Sequence, residues 1–158
     1  MSIDINEIDS YYISLILKEA KKAYYKNEVP VAACVVQFNS SKHQLISLSH
    51  NLKETDCDVT SHAEILSIRQ AAQKLNNWRL LNCTLYTTLE PCIMCAGAII
   101  HSRIERVVFC AYDFKWGGFG SQFNVLKCKG LNHYTRCEYH ADEFYKKLLK
   151  RFFKMRRS

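Results

Sequence analysis

The sequence predicts a single α/β domain in which helices cover both faces of one sheet of about five strands. Short apolar runs rich in β-branched residues alternate with helical patterns along the 158 residues. The chain is 48% apolar and has only 5 glycines and 2 prolines, which is typical of a globular domain. It shows no repeat, low-complexity tract or linker, so we expect residues 1–158 to form one domain.

The first half of the chain predicts a helix, a hairpin and a second helix. Residues 6–26 place apolar side chains on one face at helical spacing. The apolar run 30–38 and the alternating run 44–51 flank the turn NSSK, which predicts a β-hairpin. The pattern in residues 61–75 predicts the second helix.

The second half continues the alternation of strands and helices. Pro91 suits the first position of a helix. A glycine-rich segment, FKWGGFGSQ, is expected to be a loop. The expected elements are a strand at 83–88, a helix at 91–101, a buried strand at 106–111, a short strand at 134–139 and a final helix at about 141–157. This order predicts a sheet covered on both faces.

The final helix carries the whole excess of positive charge. Residues 146–157, KKLLKRFFKMRR, hold seven basic residues and no acid. The chain has 22 basic residues, and the 15 outside this segment balance its 15 acids. Apolar residues recur at helical spacing, which predicts one face packed on the domain: Leu148, Leu149, Phe152 and Phe153. The basic face indicates a polyanionic partner, although such faces are often only solvated surface.

The remaining bulk features predict a cytoplasmic protein with no membrane partner. The N-terminus, MSIDINEIDS, has neither a basic region nor an apolar core of the kind found in signal peptides. No apolar run approaches the roughly 18 residues of a membrane helix. Cys34, Cys83 and Cys110 lie in apolar strand-like runs, so we expect buried thiols there rather than disulfides.

Four polar residues have the spacing of a catalytic zinc site. Cys92 and Cys95 would share the first turn of a helix, whose N-terminus stabilises thiolates. His62 and Glu64 also stand at a predicted helix start, after a loop at the same expected edge of the sheet. One Zn²⁺ bound by His62, Cys92 and Cys95 would keep its fourth position for water. Glu64 would then serve as general base and later as general acid.

Each part of this pattern has another explanation when it is taken alone. The CxxC could be a redox pair, or half of a structural zinc site with Cys57 or Cys110 as the fourth ligand. Ser61-x-x-Glu64 fits a helix capping box, which would account for Glu64 without catalysis. The combination is more specific, because H-x-E followed by P-C-x-x-C is the signature of zinc-dependent nucleobase deaminases.

The segment from His62 to Asp113 resembles the bacterial tRNA-specific adenosine deaminases, members of the cytidine and deoxycytidylate deaminase superfamily that make inosine at the wobble position. The similarity extends to NEVPVAACVV near the start and FFKMRRS at the end, and EPCIMCAGAIIHSRI is its most specific part. The resemblance implies a three-layer α/β/α fold with a central mixed sheet. It also implies a homodimer whose site for the tRNA anticodon stem-loop uses both chains.

The resemblance further implies roles for residues outside the zinc site. Asn51, in SHN, would contact the flipped nucleoside. Asp113 and Lys115, in YDFK, would lie beside the anticodon loop. Phe153 and Arg156, in the terminal FFKMRR, would bind the substrate.

Three positions depart from the pattern of the family. Ala32 stands where VPVGA has glycine, and Val59 stands where DPT has proline. Tyr112 replaces the arginine of ARD, a change that removes a possible phosphate contact. The predicted zinc ligands and Glu64 are intact, which argues against the non-catalytic subunit of the eukaryotic heterodimeric relatives.

Two other functions are compatible with the same pattern. One is a deaminase of a free base or nucleoside, of the guanine or cytosine type, which needs the zinc residues but no basic tail. The other is an inert RNA-binding module with a structural zinc ion, and the position of Glu64 argues against it.

Overall fold

The computed structural model describes residues 5–40 and 42–157, and it consists of a five-stranded sheet between two layers of helices. The elements in chain order are α1 (Ile5–Tyr25), β1 (Ala32–Asn39), β2 (Lys42–His50), α2 (Lys53–Asp56), α3 (Ala63–Leu75), β3 (Cys83–Thr87), α4 (Ile93–His101), β4 (Arg106–Phe109), a 3₁₀-helix (Val125–Lys127), β5 (Arg136–Tyr139) and α5 (Glu143–Arg157). The α/β class predicted from the sequence is confirmed.

The sheet is mixed and has the strand order β2-β1-β3-β4-β5. β1 runs antiparallel to both of its neighbours, β2 and β3. β3, β4 and β5 run parallel to one another. This arrangement places the start of β1 and the ends of β2, β3 and β4 at one edge of the sheet.

Alternate residues of the central strands form two separate cores. Cys34 and Val36 of β1 belong to the cluster that α1 and α5 cover. Ala33 and Val35 belong to the opposite cluster, which α3 and α4 cover. The side-chain alternation of a strand therefore explains the three layers. No helix in the described part of the chain is both long and apolar enough to span a membrane.

The helices at the sheet edge begin later than the sequence predicts. α3 begins at Ala63 and α4 at Ile93, with His62 and Cys92 as their N-cap residues in extended backbone conformation. The prediction that Pro91 opens its helix is therefore wrong, because the carbonyl of Cys92 accepts the first helical hydrogen bond, from the amide of Ala96. Two short elements, α2 and the 3₁₀-helix, were not predicted because three or four residues carry no measurable periodicity.

Other boundaries lie close to the predicted ones. The final helix begins at Glu143 rather than near 141. Within the predicted turn NSSK, Ser41 lies outside the described residues.

The three cysteines expected to be buried thiols, Cys34, Cys83 and Cys110, are buried and unpaired.

One face of α5 packs on the domain, but its composition differs from the prediction. Phe152 is buried, and Leu148 and Leu149 pack against the same core as α1. Phe153 is 41% exposed, so the prediction that it packs on this face is wrong. Successive helical residues are about 100° apart, and here Phe152 takes the inward position, where its ring meets that of Tyr24.

Candidate metal and catalytic site

A histidine and two cysteines converge at the edge of the sheet where β3 ends. His62 Nδ1 lies 3.5 Å from Cys95 Sγ and 3.6 Å from Cys92 Sγ. All three donor atoms lie within 4.8 Å of one another. Thirty residues separate His62 from Cys92 in the chain, so the fold and not local sequence brings them together.

The two helix starts explain how these side chains meet. His62 and Cys92 are the N-cap residues of α3 and α4, and neither side chain caps its own helix. Cys95 lies in the first turn of α4 and is fully buried. The two helix N-termini favour anionic sulfur at this point.

The spacing of the donor atoms fits a tetrahedral zinc ion. Bond lengths of about 2.3 Å to sulfur and about 2.0–2.1 Å to nitrogen place N and S about 3.6 Å apart in a tetrahedron. The two N···S distances match this value. Within residues 5–40 and 42–157 the cluster has only these three members. Cys57 is exposed and donates to the carbonyl of Glu54, and Cys110 is buried elsewhere, so neither supplies a fourth ligand.

Hydrogen bonding within the cluster stabilises a thiolate. The Cys95 thiol donates to Cys92, and His62 also bonds to it, which together lower the pKa of Cys92 to about 4. The hydrogen bond between His62 and Cys92 also raises the pKa of His62. An anionic sulfur beside an imidazole is the donor chemistry that Zn²⁺ prefers.

Glu64 places its carboxylate beside the cluster. Its side chain is buried, with Oε1 3.2 Å from Thr87 Oγ1 and Oε2 3.5 Å from Cys95 Sγ. Burial raises the pKa of Glu64. A carboxyl group of this kind is suited to accept and return a proton.

The capping-box explanation of Glu64 is wrong. The hydroxyl of Ser61 donates to Asp56 Oδ2 at 2.8 Å and does not cap α3. The N-cap is His62, so Glu64 is the second residue of the helix and its carboxylate is directed toward Cys95 and Thr87. The position of Glu64 therefore needs an explanation other than helix capping.

Asn51 follows β2 at the same edge of the sheet. Its side chain is buried, and its Nδ2 donates to Glu28 Oε2 at 3.0 Å. The next residue, Leu52, donates its amide to the carbonyl of Ser61, directly before His62. Because a carboxylate only accepts hydrogen bonds, Glu28 fixes which end of the Asn51 amide is nitrogen.

Asp113 and Lys115 lie in the loop that follows β4. Oδ1 of Asp113 accepts from the amides of Lys115 and Trp116 at 3.0 and 3.2 Å. Asp113 thus organises its own loop, while the side chain of Lys115 is exposed.

Glu90 fixes this loop against the cluster. Its carboxylate accepts from the amides of Asp113, Phe119 and Ser121 at 3.0–3.2 Å. Only glycine fits at Gly117, because a Cβ there would collide with the Glu90 carboxylate. The amide of Gly118 donates to the carbonyl of Pro91 at 2.8 Å, so the loop contacts the residue before Cys92.

Phe153 and Arg156 lie near the end of α5. Arg156 donates to the carbonyl of Asn27 and forms an ion pair with Glu54 at 3.7 Å. Because the amide of Glu54 donates to Glu28, the end of α5 lies against the segments that hold Asn51. Phe153 is partly exposed beside it.

The sequence reasoning missed Glu28 and Glu90. Both carboxylates are buried and are satisfied by amide and hydroxyl groups of neighbouring loops. The only available signal was an acid beside an apolar, proline-containing turn, in NEVP and LEPC. Such a signal is weak, because the partners of these acids are mostly backbone groups.

The three departures from the family pattern lie in different surroundings. Ala32 is fully buried, and its amide donates to Thr88 Oγ1 at 3.1 Å. Val59 is 69% exposed. Tyr112 lies at the surface beside Tyr139.

Comparison with known proteins shows which family this chain is similar to. Residues 8–157 match the family model described as MafB19-like deaminase. The tRNA-specific adenosine deaminase of Aquifex aeolicus is 46% identical over 148 residues, which cover 94% of this chain and 95% of that protein.

Two solved structures share the fold. One, from a study of A-to-I editing by tRNA:A34 deaminases at the wobble position, has a TM-score of 0.77 and 36% identity over 83% of this chain and 98% of its own. The guanine deaminase of Nitrosomonas europaea has a TM-score of 0.73 over 88% of this chain and 81% of its own. At 24% identity, the second likeness concerns the fold alone.

Proposed function

This chain belongs to the MafB19-like deaminase family and is an enzyme related to the tRNA-specific adenosine deaminases, and on that premise we propose that it converts adenosine to inosine at the wobble position of a tRNA anticodon. The observation that carries the proposal is the buried carboxylate of Glu64 beside the cluster of His62, Cys92 and Cys95. The reaction consumes one water and releases one ammonia.

His62, Cys92 and Cys95 would bind one Zn²⁺ per chain. Zinc at this position would lower the pKa of a water molecule and make it nucleophilic near neutral pH. Two thiolate ligands offset the charge of the ion, so a nearby base is needed to take the proton. Glu64 accepts that proton and transfers it to the ring nitrogen of the base. It then takes the second proton, from the hydroxyl group added to the ring carbon, and passes it to the departing amine.

Asn51 would orient the target nucleoside. Because Glu28 holds the Asn51 nitrogen, the carbonyl oxygen of the amide remains to accept a hydrogen bond from the substrate. Asp113 and Lys115 would border the anticodon loop from the loop after β4. Phe153 and Arg156 would contact the RNA from the end of α5.

The proposal extends to the assembly and location of the protein, for which the family resemblance is the support. The enzyme acts as a single deaminase domain, as a homodimer in the cytoplasm, with each RNA site drawing on both chains. The basic face of α5 supports an RNA partner, because six exposed cations lie on this helix: Lys147, Lys150, Arg151, Lys154, Arg156 and Arg157.

The substrate class can be tested by measuring ammonia release. We expect release from an anticodon stem-loop with adenosine at the wobble position, and none from the same stem-loop with guanosine there. Free adenosine, guanine and cytosine should react far more slowly. Faster release from a free base would favour the small-molecule deaminase, and no release by the zinc-loaded protein from any substrate would favour an inert module.

Neutralising basic residues of the tail, residues 146–157 at the end of the chain, is expected to weaken RNA binding and leave the chemistry unchanged. Glutamine at Lys150, Arg151, Lys154 and Arg157 should raise KM strongly and change saturated turnover little, because phosphate contacts position the RNA without touching the reacting atoms. In a plot of the logarithm of the binding constant against the logarithm of the salt concentration, the slope should become less steep by about 0.7–0.9 for each phosphate that the tail no longer neutralises.

The control variant removes the same number of positive charges, four, from outside α5. Glutamine at four exposed lysines outside α5, namely Lys18, Lys42, Lys127 and Lys129, should have a much smaller effect. Arg156 is retained because it pairs with Asn27 and Glu54, and Phe152 because it is buried. Equal slopes and affinities for the wild type and the neutralised tail would mean that the tail is only solvated surface.

A further inference from the structure

Four aromatic rings form a continuous ladder from the core to the surface at the end of β4 and β5. We call Phe109, Tyr139, Tyr112 and Phe114 the aromatic ladder. The ring centroids of Phe109 and Tyr139 lie 5.5 Å apart, those of Tyr139 and Tyr112 4.4 Å, and those of Tyr112 and Phe114 6.0 Å. Phe109 is 2% exposed, whereas Phe114 is 75% exposed.

The outermost ring of the ladder presents most of its surface to solvent. The ring of Phe114 meets that of Tyr112, and Trp116, two residues further, is 63% exposed. Exposed apolar groups gathered in one place often mark an interaction site. The burial of Phe109 and the parallel pairing of β4 with β5 hold the inner rings in place.

The aromatic ladder lies at the same edge of the sheet as the metal and catalytic site. The loop after β4, which carries Phe114, contacts the start of α4 through the pairing of Gly117 with Cys92. Glu90 also holds this loop by binding the amide of Asp113. Phe114 follows Asp113 directly. When the target nucleotide is bound beside His62, Cys92 and Cys95, the nucleotides next to it in the RNA would therefore lie close to this loop.

The charges around the aromatic ladder suit a nucleotide better than a second protein chain. The exposed Lys115 stands between Phe114 and Trp116. Lys146, which forms an ion pair with Glu143 at 2.6 Å, has its Nζ 5.8 Å from the centroid of the Tyr139 ring. Rings interleaved with cations are typical of sites for single-stranded nucleic acid. The core of a protein–protein interface, in contrast, is depleted in lysine.

We propose that the aromatic ladder, through Phe114, is a stacking platform for an unpaired base adjacent to the target adenosine in the RNA substrate. The proposal rests on the proposed function and names a further contact of the same site. Tyr112 replaces the arginine of the family pattern, and its ring supports that of Phe114. Stacking on a ring tolerates any base, so the platform adds affinity with little sequence preference.

The test uses anticodon stem-loops that carry the fluorescent base 2-aminopurine at each unpaired position beside the target. We expect quenching at one position with the wild-type protein and its loss with Phe114→Ala. The affinity of Phe114→Ala should fall about tenfold, and Phe114→Leu, which keeps apolar bulk without a π-face, should fall nearly as far. Trp78→Ala is the matched control, because Trp78 is 53% exposed and stacks with Arg79, but precedes β3 at the opposite edge of the sheet.

An abasic nucleotide at the quenched position should make the wild type and Phe114→Ala bind equally. Equal affinity of both proteins for the intact RNA would overturn the platform, as would a Phe114→Ala variant that changes only the oligomeric mass in sedimentation. Inosine formation by the wild type on the same stem-loop is measured in parallel. If it occurs while Phe114 has no effect, only the platform fails; if the wild type neither binds nor deaminates the RNA, the proposed function fails with it.

Discussion

Glu64→Gln is expected to lower the single-turnover rate of deamination by about 10²–10⁴-fold and to leave metal content and fold unchanged. Glutamine has nearly the same size, and the site is buried, so packing around α3 is retained. Its amide cannot accept the proton of the attacking water or return one to the amine. Single-turnover kinetics on an anticodon stem-loop separate this chemical step from binding.

Glu105→Gln is the matched control for the Glu64 variant. Glu105 is an exposed carboxylate at the start of β4, where Oε1 accepts from the amide of Asn82, at the sheet edge opposite the cluster of His62, Cys92 and Cys95. We expect near-normal turnover from this variant. A rate reduction of less than tenfold in Glu64→Gln would argue against Glu64 as the proton carrier.

Cys95→Ala is expected to abolish zinc binding and to destabilise the protein strongly. The wild type should contain one zinc per chain, and removal of any one of the three donors should reduce this value to near zero. A ligand present at about 1,000 times its Kd stabilises the folded state by about 4 kcal/mol, and this contribution disappears with the metal. Elemental analysis and thermal unfolding, with and without a chelator, measure both effects.

Cys110→Ala controls for the removal of a buried thiol. Cys110 is as buried as Cys95 but lies outside the cluster, so we expect full zinc content in this variant. Absence of zinc from Cys110→Ala would restore the four-ligand, structural interpretation. Full zinc retention in His62→Ala, Cys92→Ala and Cys95→Ala alike would contradict the assignment of the site.

Local patterns were sufficient where the structure depends on neighbours in the chain. The apolar alternation in 30–38 and the helical spacing in 61–75 predicted a strand and a helix that the structure contains, with bounds shifted by about two residues. The family of the chain was also recognisable, because H-x-E and P-C-x-x-C combine rare residue types at restricted spacing. Both are properties that a single sequence expresses directly.

Local patterns failed where a side chain chooses between competing partners. Ser61 matched a capping box, but its hydroxyl bonds to Asp56, and the helix begins one residue later than that motif requires. Phe153 matched the apolar spacing of α5, but Phe152 occupies the inward position. In each case tertiary contacts decide between the alternatives.

The sequence by itself determined the donor types, their grouping at two helix starts, and the concentration of positive charge in the last helix. Only the tertiary structure decided that His62 Nδ1 and the sulfurs of Cys92 and Cys95 come within bonding range of one ion. Antiparallel pairing of β1 with β3 and parallel pairing of β3 with β4 bring the two helix starts to one edge. The same topology exposes Phe114 beside that edge and buries Glu28 and Glu90 beneath its loops. These outcomes depend on contacts between residues far apart in the chain, which no local spacing encodes.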